Sequence, residues 1–463
     1  MKKPQAFGPV AVVVALACSL SVCGTPAGSA AAAPAVVGSA VDLGLVAPEA
    51  VGISSERLGR LSTAMQQLVD THRLAGITTM IARHGKVAHV GTFGQRDVEA
   101  KAAMAPDTIF RLYSMSKPIT GVALMMLYEE GKFRLSDPVA KYIPEFANLQ
   151  VASGVGPSGP RVEKLNHPIT IRELMSHTAG LTYGPFSESQ VDTVYVEKKV
   201  LAFDGTLHDM ITRLAGIPLR QQPGTMWHYS VAVDVQGYLV EVLSGQRFDQ
   251  FLESRVFKPL GMADTGFYVP KEKAGRFAQI YAYAKDGSLI PPAQFDKDSR
   301  IGSLSIAAAE VVDRYLEPPT FLSGGGGMVS TTTDYMRFCQ MLLNGGELNG
   351  VRILSPLTVE LMHRNQLPQG VSQAPGVGFG LDFAVVDDPV AFDGISKGEY
   401  FWGGAAGTWF WIDPAEDLVF VGMIQQFGAA RPDVRSLSRR LTYQAILEPG
   451  SRDGTATRTR STN

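Results

Sequence analysis

Apolar residues at Leu58, Leu61, Met65 and Leu68 recur at three- and four-residue intervals. That spacing predicts one amphipathic helix, capped by Ser54 and running to about residue 73. Two strand-like runs follow, "GITTMIARHGK" and "VAHVGTFGQ", joined at His84-Gly85-Lys86 as a hairpin would be. From about residue 106 to 319 the pattern becomes mostly helical between loops rich in Pro and Gly. Its clearest helical segments are 119–130, 171–175, 232–243 and 248–257, the second of them opened by a capping box of Thr170 and Glu173. Alternating or continuous apolar runs return in "GVGFGLDFAVV", "YFWGGAAGTWFWID" and "DLVFVGMIQQF", and "DVRSLSRRLTYQAIL" closes as a helix.

Strands near both ends of a helical middle predict one sheet built from both termini. Residues 41–107 and 320–447 then form an α/β sheet domain, 108–319 a mostly helical insertion packed against it, and 448–463 a polar, disordered tail without periodicity. Loops distant in sequence meet at the cleft between these lobes.

The first forty residues follow a different pattern. Lys2 and Lys3 precede an apolar run from Phe7 to Val22, and small residues follow in "TPAGSAAAAPAVVGSA", the layout of an export signal. The run is broken by Gly8, Pro9 and Ser19 and is shorter than the roughly 20 residues of a membrane-spanning helix. No transmembrane span is expected; a lipid anchor is the alternative at Cys23 or Cys18, although Val22 is bulkier than the small residue such a cleavage prefers. After cleavage only Cys339 remains, so no intramolecular disulfide forms. Its spacing to Met336 and Leu343 places it on an apolar helix face as core filler. The chain is exported, periplasmic or secreted, on this reading.

Composition narrows the function. With 463 residues, 45% hydrophobic and 19% charged, the chain has ample material for a large core. A formal net charge of −2 and the lack of any long Lys and Arg run leave no footprint for nucleic acid. The eight histidines are scattered without metal-ligand spacing. No metal and no cofactor is implied, and oligomeric state is not legible.

Candidate chemistry lies in "RLYSMSKPIT". Were a helix to start at Ser114, its side chain and that of Lys117 would share one face a turn apart, with Pro118 tolerated in the first turn. A serine hydroxyl is a poor nucleophile until a neighbour accepts its proton, which a lysine beside the positive helix end can do or promote. The plainer alternative is that Ser114 caps the helix and Lys117 points to water. "MWHYSVAVDVQGY" presents Tyr229 just before a helix, where a phenol near an ammonium could take the serine proton. "YFWGGAAGTWF" carries Gly403 and Gly404, whose missing side chains would let a substrate approach the backbone; a bulge or sheet contact is the alternative.

The stretches "FRLYSMSKP", "LMSHTAGLTYG", "WHYSVAVDVQGYLVEVLSG", "SGGGGMVSTTTDYMRF", "GFGLDF" and "FWGGAAGTWFWIDP" stand in this order over about residues 51–447. Together they resemble the serine β-lactamase and penicillin-binding-protein fold, and within it the class C-like esterases called family VIII carboxylesterases. The resemblance implies an α+β fold of the β-lactamase/transpeptidase type, an antiparallel sheet flanked by helices with an inserted mostly helical domain. It implies Ser114 as the acylated nucleophile, Lys117 as its activating partner and Tyr229 as the general base. The oxyanion hole would be the backbone N–H groups of Ser114 and Ala405, with Trp402, Gly403 and Gly404 binding substrate and His177 a structural member of its motif.

Where lactamases carry Tyr-x-Asn this chain has Tyr229-Ser230-Val231, and where they carry Lys-Thr-Gly it has Trp402-Gly403-Gly404. Loss of the amide and of the cation disfavours a β-lactam or a peptide carboxylate. Hydrolysis of carboxylic esters with short acyl chains is therefore expected, the partner being a small-molecule ester. A β-lactamase, a D-amino-acid peptidase or amidase, and a non-catalytic binding protein of the same fold stay open. "GISKG" matches a nucleophile elbow at Ser396 but lacks the required preceding strand and following helix, and "SGGGGM" lacks the Gly-Lys-Ser/Thr of a phosphate loop. Asp234 reads as a cap or a buried hydrogen-bonding group.

Overall fold

Strand Gly76–Arg83 is buried along its whole length and pairs with Lys86–Asp97 on one side and Leu418–Met423 on the other. A segment from each end of the chain thus meets at the middle of one antiparallel sheet. In the computed structural model, which describes residues 43–450 except 158, 185–188, 285–286, 296–299, 302–303, 306–312 and 429–430, this sheet has eight strands. Their spatial order is Val377–Phe379, Ala384–Val386, Tyr400–Gly403, Trp409–Asp413, Leu418–Met423, Gly76–Arg83, Lys86–Asp97 and Ala102–Ala103. The export segment with Cys18 and Cys23, and residues 451–463, lie outside the described residues.

Side chains on these strands alternate between two covered faces, as a period of two requires. Trp409, Trp411 and Phe420 face the helices Ser55–Asp70 and Val434–Tyr443, with Trp411 and Phe420 stacked at 4.1 Å. Phe410, Ile412, Val419 and Val421 face the larger core, which continues without a break into the helical middle. The sheet and the helical segment share this core. Helix Thr332–Leu343 packs on the same face and buries Cys339 fully.

Helix Ser116–Glu129 is apolar nearly all round and buried from Ser116 to Leu127, the pattern of a central helix. It packs against Ala232–Ser244, the helix that follows Tyr229. Strand Ile109–Arg111 leads into it and pairs with Val329–Thr331, bringing the two ends of the helical segment together.

Three expectations differ from the structure. The helical middle contains a hairpin, Gln150–Gly156 with Gly159–Lys164, whose mostly exposed residues give no apolar alternation to read. The 248–257 helix is α-helical only over Phe248–Leu252 and continues as a π turn over Glu253–Phe257. The tail does not begin at Glu448. Buried Arg83 bonds the Glu448 carbonyl at 2.6 Å and pairs with Glu416 at 3.0 Å, and the Gly450 N–H donates to Glu416 at 2.8 Å. Among the described residues no helix is long and apolar enough to cross a membrane.

Candidate active site

The site is built on a turn between a strand and a helix. After Arg111 the chain passes through Tyr113 at φ 47° and a 3-10 turn, Tyr113–Met115. A non-glycine residue in the left-handed region is strained by about 1–3 kcal/mol, and such strain clusters at working sites. The α-helix begins at Ser116, three residues ahead of the 119–130 segment read from the sequence and two after Ser114, and its cap position is Met115 with no side-chain cap. Ser114 therefore caps nothing. Its Oγ lies 3.2 Å from Lys117 Nζ and accepts the Tyr229 hydroxyl at 2.6 Å. Lys117 does not point to water.

Lys117 is buried and donates to three oxygens: Ser114 Oγ, Tyr183 Oη at 3.0 Å and the Gly325 carbonyl at 2.6 Å. The Gly325 segment is held in turn by Asp234, whose Oδ1 accepts from Ser323 Oγ at 2.5 Å and the Gly325 N–H at 3.1 Å. Burial pushes the Asp234 carboxyl up, an effect partly offset by the Lys117 charge. The glycines of "SGGGGM" serve this close approach. A Cβ on Gly324 would stand 2.6 Å from the Val233 carbonyl, and one on Gly325 2.6 Å from Asp234 Oδ2.

Tyr229 closes the cluster from the other side, its ring centroid 4.6 Å from Lys117 Nζ, within reach of a cation–π contact. Around it stand Tyr183 at 5.2 Å, His177 at 4.9 Å, Trp402 at 5.5 Å and Trp227 at 6.1 Å, and Phe379 packs on both indoles. His177 is fully buried, its Nδ1 3.2 Å from Ser230 Oγ, and burial lowers its pKa well below the ordinary value. A neutral ring bonded to Ser230 packs behind the tyrosine. Val231 is also fully buried, so the residue in the lactamase asparagine position is core packing rather than pocket surface.

The glycines of the Tyr400–Gly403 strand are backed by the protein itself. A Cβ at Gly403 would stand 2.4 Å from the Arg435 guanidinium, and one at Gly404 2.2 Å from the Leu112 carbonyl. Their missing side chains thus admit Arg435 and the segment ahead of Ser114, where the sequence reading placed open room for substrate. Thr408 Oγ1 donates to the same Leu112 carbonyl at 3.0 Å and the Gly404 N–H donates to the Thr408 carbonyl at 2.7 Å. This stitching sets exposed Ala405 at the edge of the Ser114 turn.

A family model described as Beta-lactamase matches residues 61–444. The chain belongs to the β-lactamase family. Relatives of this family member include Protein Rv1367c of Mycobacterium tuberculosis, 34% identical over 374 residues that cover 78% of this chain and 88% of that protein. Esterase EstB of Burkholderia gladioli is 31% identical over 385 residues, 80% of this chain and 91% of that one. A solved structure of EstCE1, a hydrolase with promiscuous acyltransferase activity, is similar with a TM-score of 0.71 at 28% identity, covering 85% of this chain and 99% of that one. The protein is a β-lactamase-fold serine hydrolase with the antiparallel sheet and flanking helices expected of that fold.

Within this β-lactamase-family site the structure brings Ser114, Lys117, Tyr229 and Trp402 together. Sequence reasoning missed Tyr183, although it is the next-to-last residue of the quoted "LMSHTAGLTYG" stretch; a tyrosine so near a structural histidine was the available signal. Burial, and then the neighbouring Tyr229, push the Tyr183 hydroxyl well above the usual range, so it stays protonated beside Lys117. Ser396 lies between the short helix Pro389–Phe392 and the Tyr400–Gly403 strand, hydrogen-bonded to Asp413, without the strand-to-helix setting of a nucleophile elbow.

Proposed function

We propose that the protein is a carboxylesterase acting on small esters with short acyl chains through an acyl-enzyme on Ser114. The observation that carries this reading is the 2.6 Å contact between Ser114 Oγ and Tyr229 Oη, with Lys117 Nζ 3.2 Å from the same oxygen. In acylation Ser114 Oγ bonds to the ester carbonyl carbon while its proton passes to the Tyr229–Lys117 pair, with Tyr229 Oη as the atom in contact. Tyr229 returns that proton to the departing alkoxide as its bond to carbon breaks. In deacylation Tyr229 takes a proton from water as the hydroxide adds to the acyl carbon, and then returns it to Ser114 Oγ as the bond from that oxygen to the acyl carbon breaks and the carboxylic acid leaves. The N–H groups of Ser114 and Ala405 hold the oxyanion in both steps.

Trp402 supports an ester over a β-lactam or peptide. An indole and the Phe379 and Trp227 rings stand where those substrates need a charge for their carboxylate. The name of Esterase EstB and the hydrolase title of EstCE1 point the same way. Export through residues 1–40 is part of this proposal, tested by mass spectrometry of the mature N-terminus.

Initial rates on p-nitrophenyl butyrate and on a chromogenic cephalosporin, each with Ser114→Ala as control, test the activity. Fast ester turnover that drops ~1000-fold or more in the variant, with slow lactam opening, is expected. Efficient lactam opening would overturn the substrate assignment, and ester turnover surviving in Ser114→Ala would overturn the nucleophile.

A further inference from the structure

Two arginines stand behind the segment that carries Ala405, and among the described residues neither forms an ion pair with a carboxylate. Arg435 Nη2 donates to the Gly404 carbonyl at 3.1 Å and the Thr408 carbonyl at 3.3 Å. Arg431 Nη1 donates to the Ala405 carbonyl at 2.9 Å and the Gln426 carbonyl at 3.2 Å. Asp433, whose charge acts on both guanidiniums, is engaged in capping, its Oδ1 accepting the Ser436 N–H at 3.1 Å.

The placement of Arg435 is unfavourable by three separate criteria. Burial and then the Arg431 charge pull its pKa down to about 10. It stands in the first turn of helix Val434–Tyr443, where the helix dipole disfavours a cation by about 0.3–1 kcal/mol. It also requires glycine at residue 403, because its guanidinium fills the volume a side chain there would take. A cation kept in such a position, with only backbone carbonyls as acceptors, marks the peptide it touches.

That peptide is informative. The carbonyl of Gly404 and the N–H of Ala405 belong to one planar unit. A cation bonded to the oxygen fixes the plane and draws electron density from the N–H, strengthening it as a donor. We propose that Arg435, backed by Arg431, is a positioning residue that orients and polarises the Gly404–Ala405 peptide so that the Ala405 N–H stabilises the oxyanion. This rests on the esterase reading above. Because the negative charge exists only once Ser114 Oγ has bonded to the carbonyl carbon, the contribution falls on kcat rather than on KM.

The test compares the full-length protein with Arg435→Met on p-nitrophenyl butyrate, and measures inhibition by n-butylboronic acid, whose boron takes Ser114 Oγ to give a tetrahedral anion. The variant is expected to lose ~10- to 100-fold in kcat with KM within about twofold, and boronic acid affinity by a similar factor. Arg435→Gln keeps a donor without the charge and gives the same readout if the Met variant fails to fold. A folded variant with unchanged kcat, or one that loses kcat while its boronic acid affinity stays at the wild-type value, overturns the proposal. Ser114→Ala, run alongside, separates the two readings. Ester turnover surviving there overturns the esterase site, whereas its loss there with full speed in Arg435→Met overturns only the role of Arg435.

Discussion

Two kinds of helix start in this chain use a hydroxyl in opposite ways. At Thr206 the side chain accepts the Asp209 N–H at 3.2 Å and the Asp209 carboxylate accepts the Thr206 N–H at 2.7 Å; Thr170 and Glu173 repeat the arrangement. At the Ser116–Glu129 helix no side chain caps the first turn, although Ser114 stands just ahead of it. The strained Tyr113 and the 3-10 turn rotate that serine away from the helix end and toward Lys117 and Tyr229. A cap contributes typically about 1 kcal/mol. The nucleophile helix forgoes it, and a local rule is broken where the chemistry is placed.

Ser114→Ala gives the largest expected effect and sharpens this contrast. It should remove ester turnover by ~1000-fold or more while the thermal midpoint stays within about 2 °C of wild type, since no helix N–H loses a partner. Turnover and thermal melting on the same preparation check it. A clear fall in midpoint would mean that Ser114 supports its helix after all, and the two kinds of start would no longer differ.

What could be read in advance divides along the same line, between local and distant partners. Ser114 and Lys117 are three residues apart, so a single turn of chain brings them together, although that turn is 3-10 at the serine and α-helical only from Ser116. The Thr170–Glu173 box and the strand alternation at Trp409 to Ile412 are equally local. The support of Lys117 was not legible, because Tyr183 and Gly325 approach it from 66 and 208 residues away. Gly403 was open to two readings for that reason too: a glycine announces a close approach but not whether Arg435, 32 positions later, or a substrate makes it. The anchored Glu448–Gly450 stretch depends on buried Arg83, 365 residues back from Glu448. Composition there reads as tail.

A second contrast concerns carboxylates near helix starts. Asp334, in the first turn of Thr332–Leu343, is buried, and that burial raises its pKa from 3.8 to about 6. Asp209 is exposed, and hydrogen bonds from Thr206 lower its pKa. The signs of their pH effects are therefore opposite. The folded state holds the Asp334 proton more tightly than the unfolded chain does, so this contribution is full below pH 3.8 and is lost as pH rises to about 6. Support from Asp209 is present above 3.8 and lost as pH falls below it. Denaturant midpoints of wild type and Asp334→Asn from pH 4 to 7 should converge or diverge by on the order of 3 kcal/mol, the wild type losing ground as pH rises. Parallel curves would show that Asp334 ionises as freely as in the unfolded chain.

Thr206→Ala is the smallest effect and the most direct counterpart of Ser114→Ala. The substitution removes the hydroxyl that accepts the Asp209 N–H and donates to its carboxylate at 2.8 Å, and leaves the backbone bond from the Thr206 N–H to Asp209 in place. Half of the reciprocal arrangement survives, so the loss should be about 1 kcal/mol or less. Its helix, Leu207–Ala215, packs on Ala232–Ser244 through Leu207, Met210, Ile211 and Leu214, and none of these side chains touches Ser114, Lys117 or Tyr229 by any described bond. Ester turnover should therefore match wild type while the denaturant midpoint falls. If turnover fell with the midpoint, the stability of this remote start would be coupled to the site through the Ala232–Ser244 helix, and the division between a capped start that holds the fold and the uncapped start that carries the nucleophile, one of several uncapped starts in the chain, would not stand.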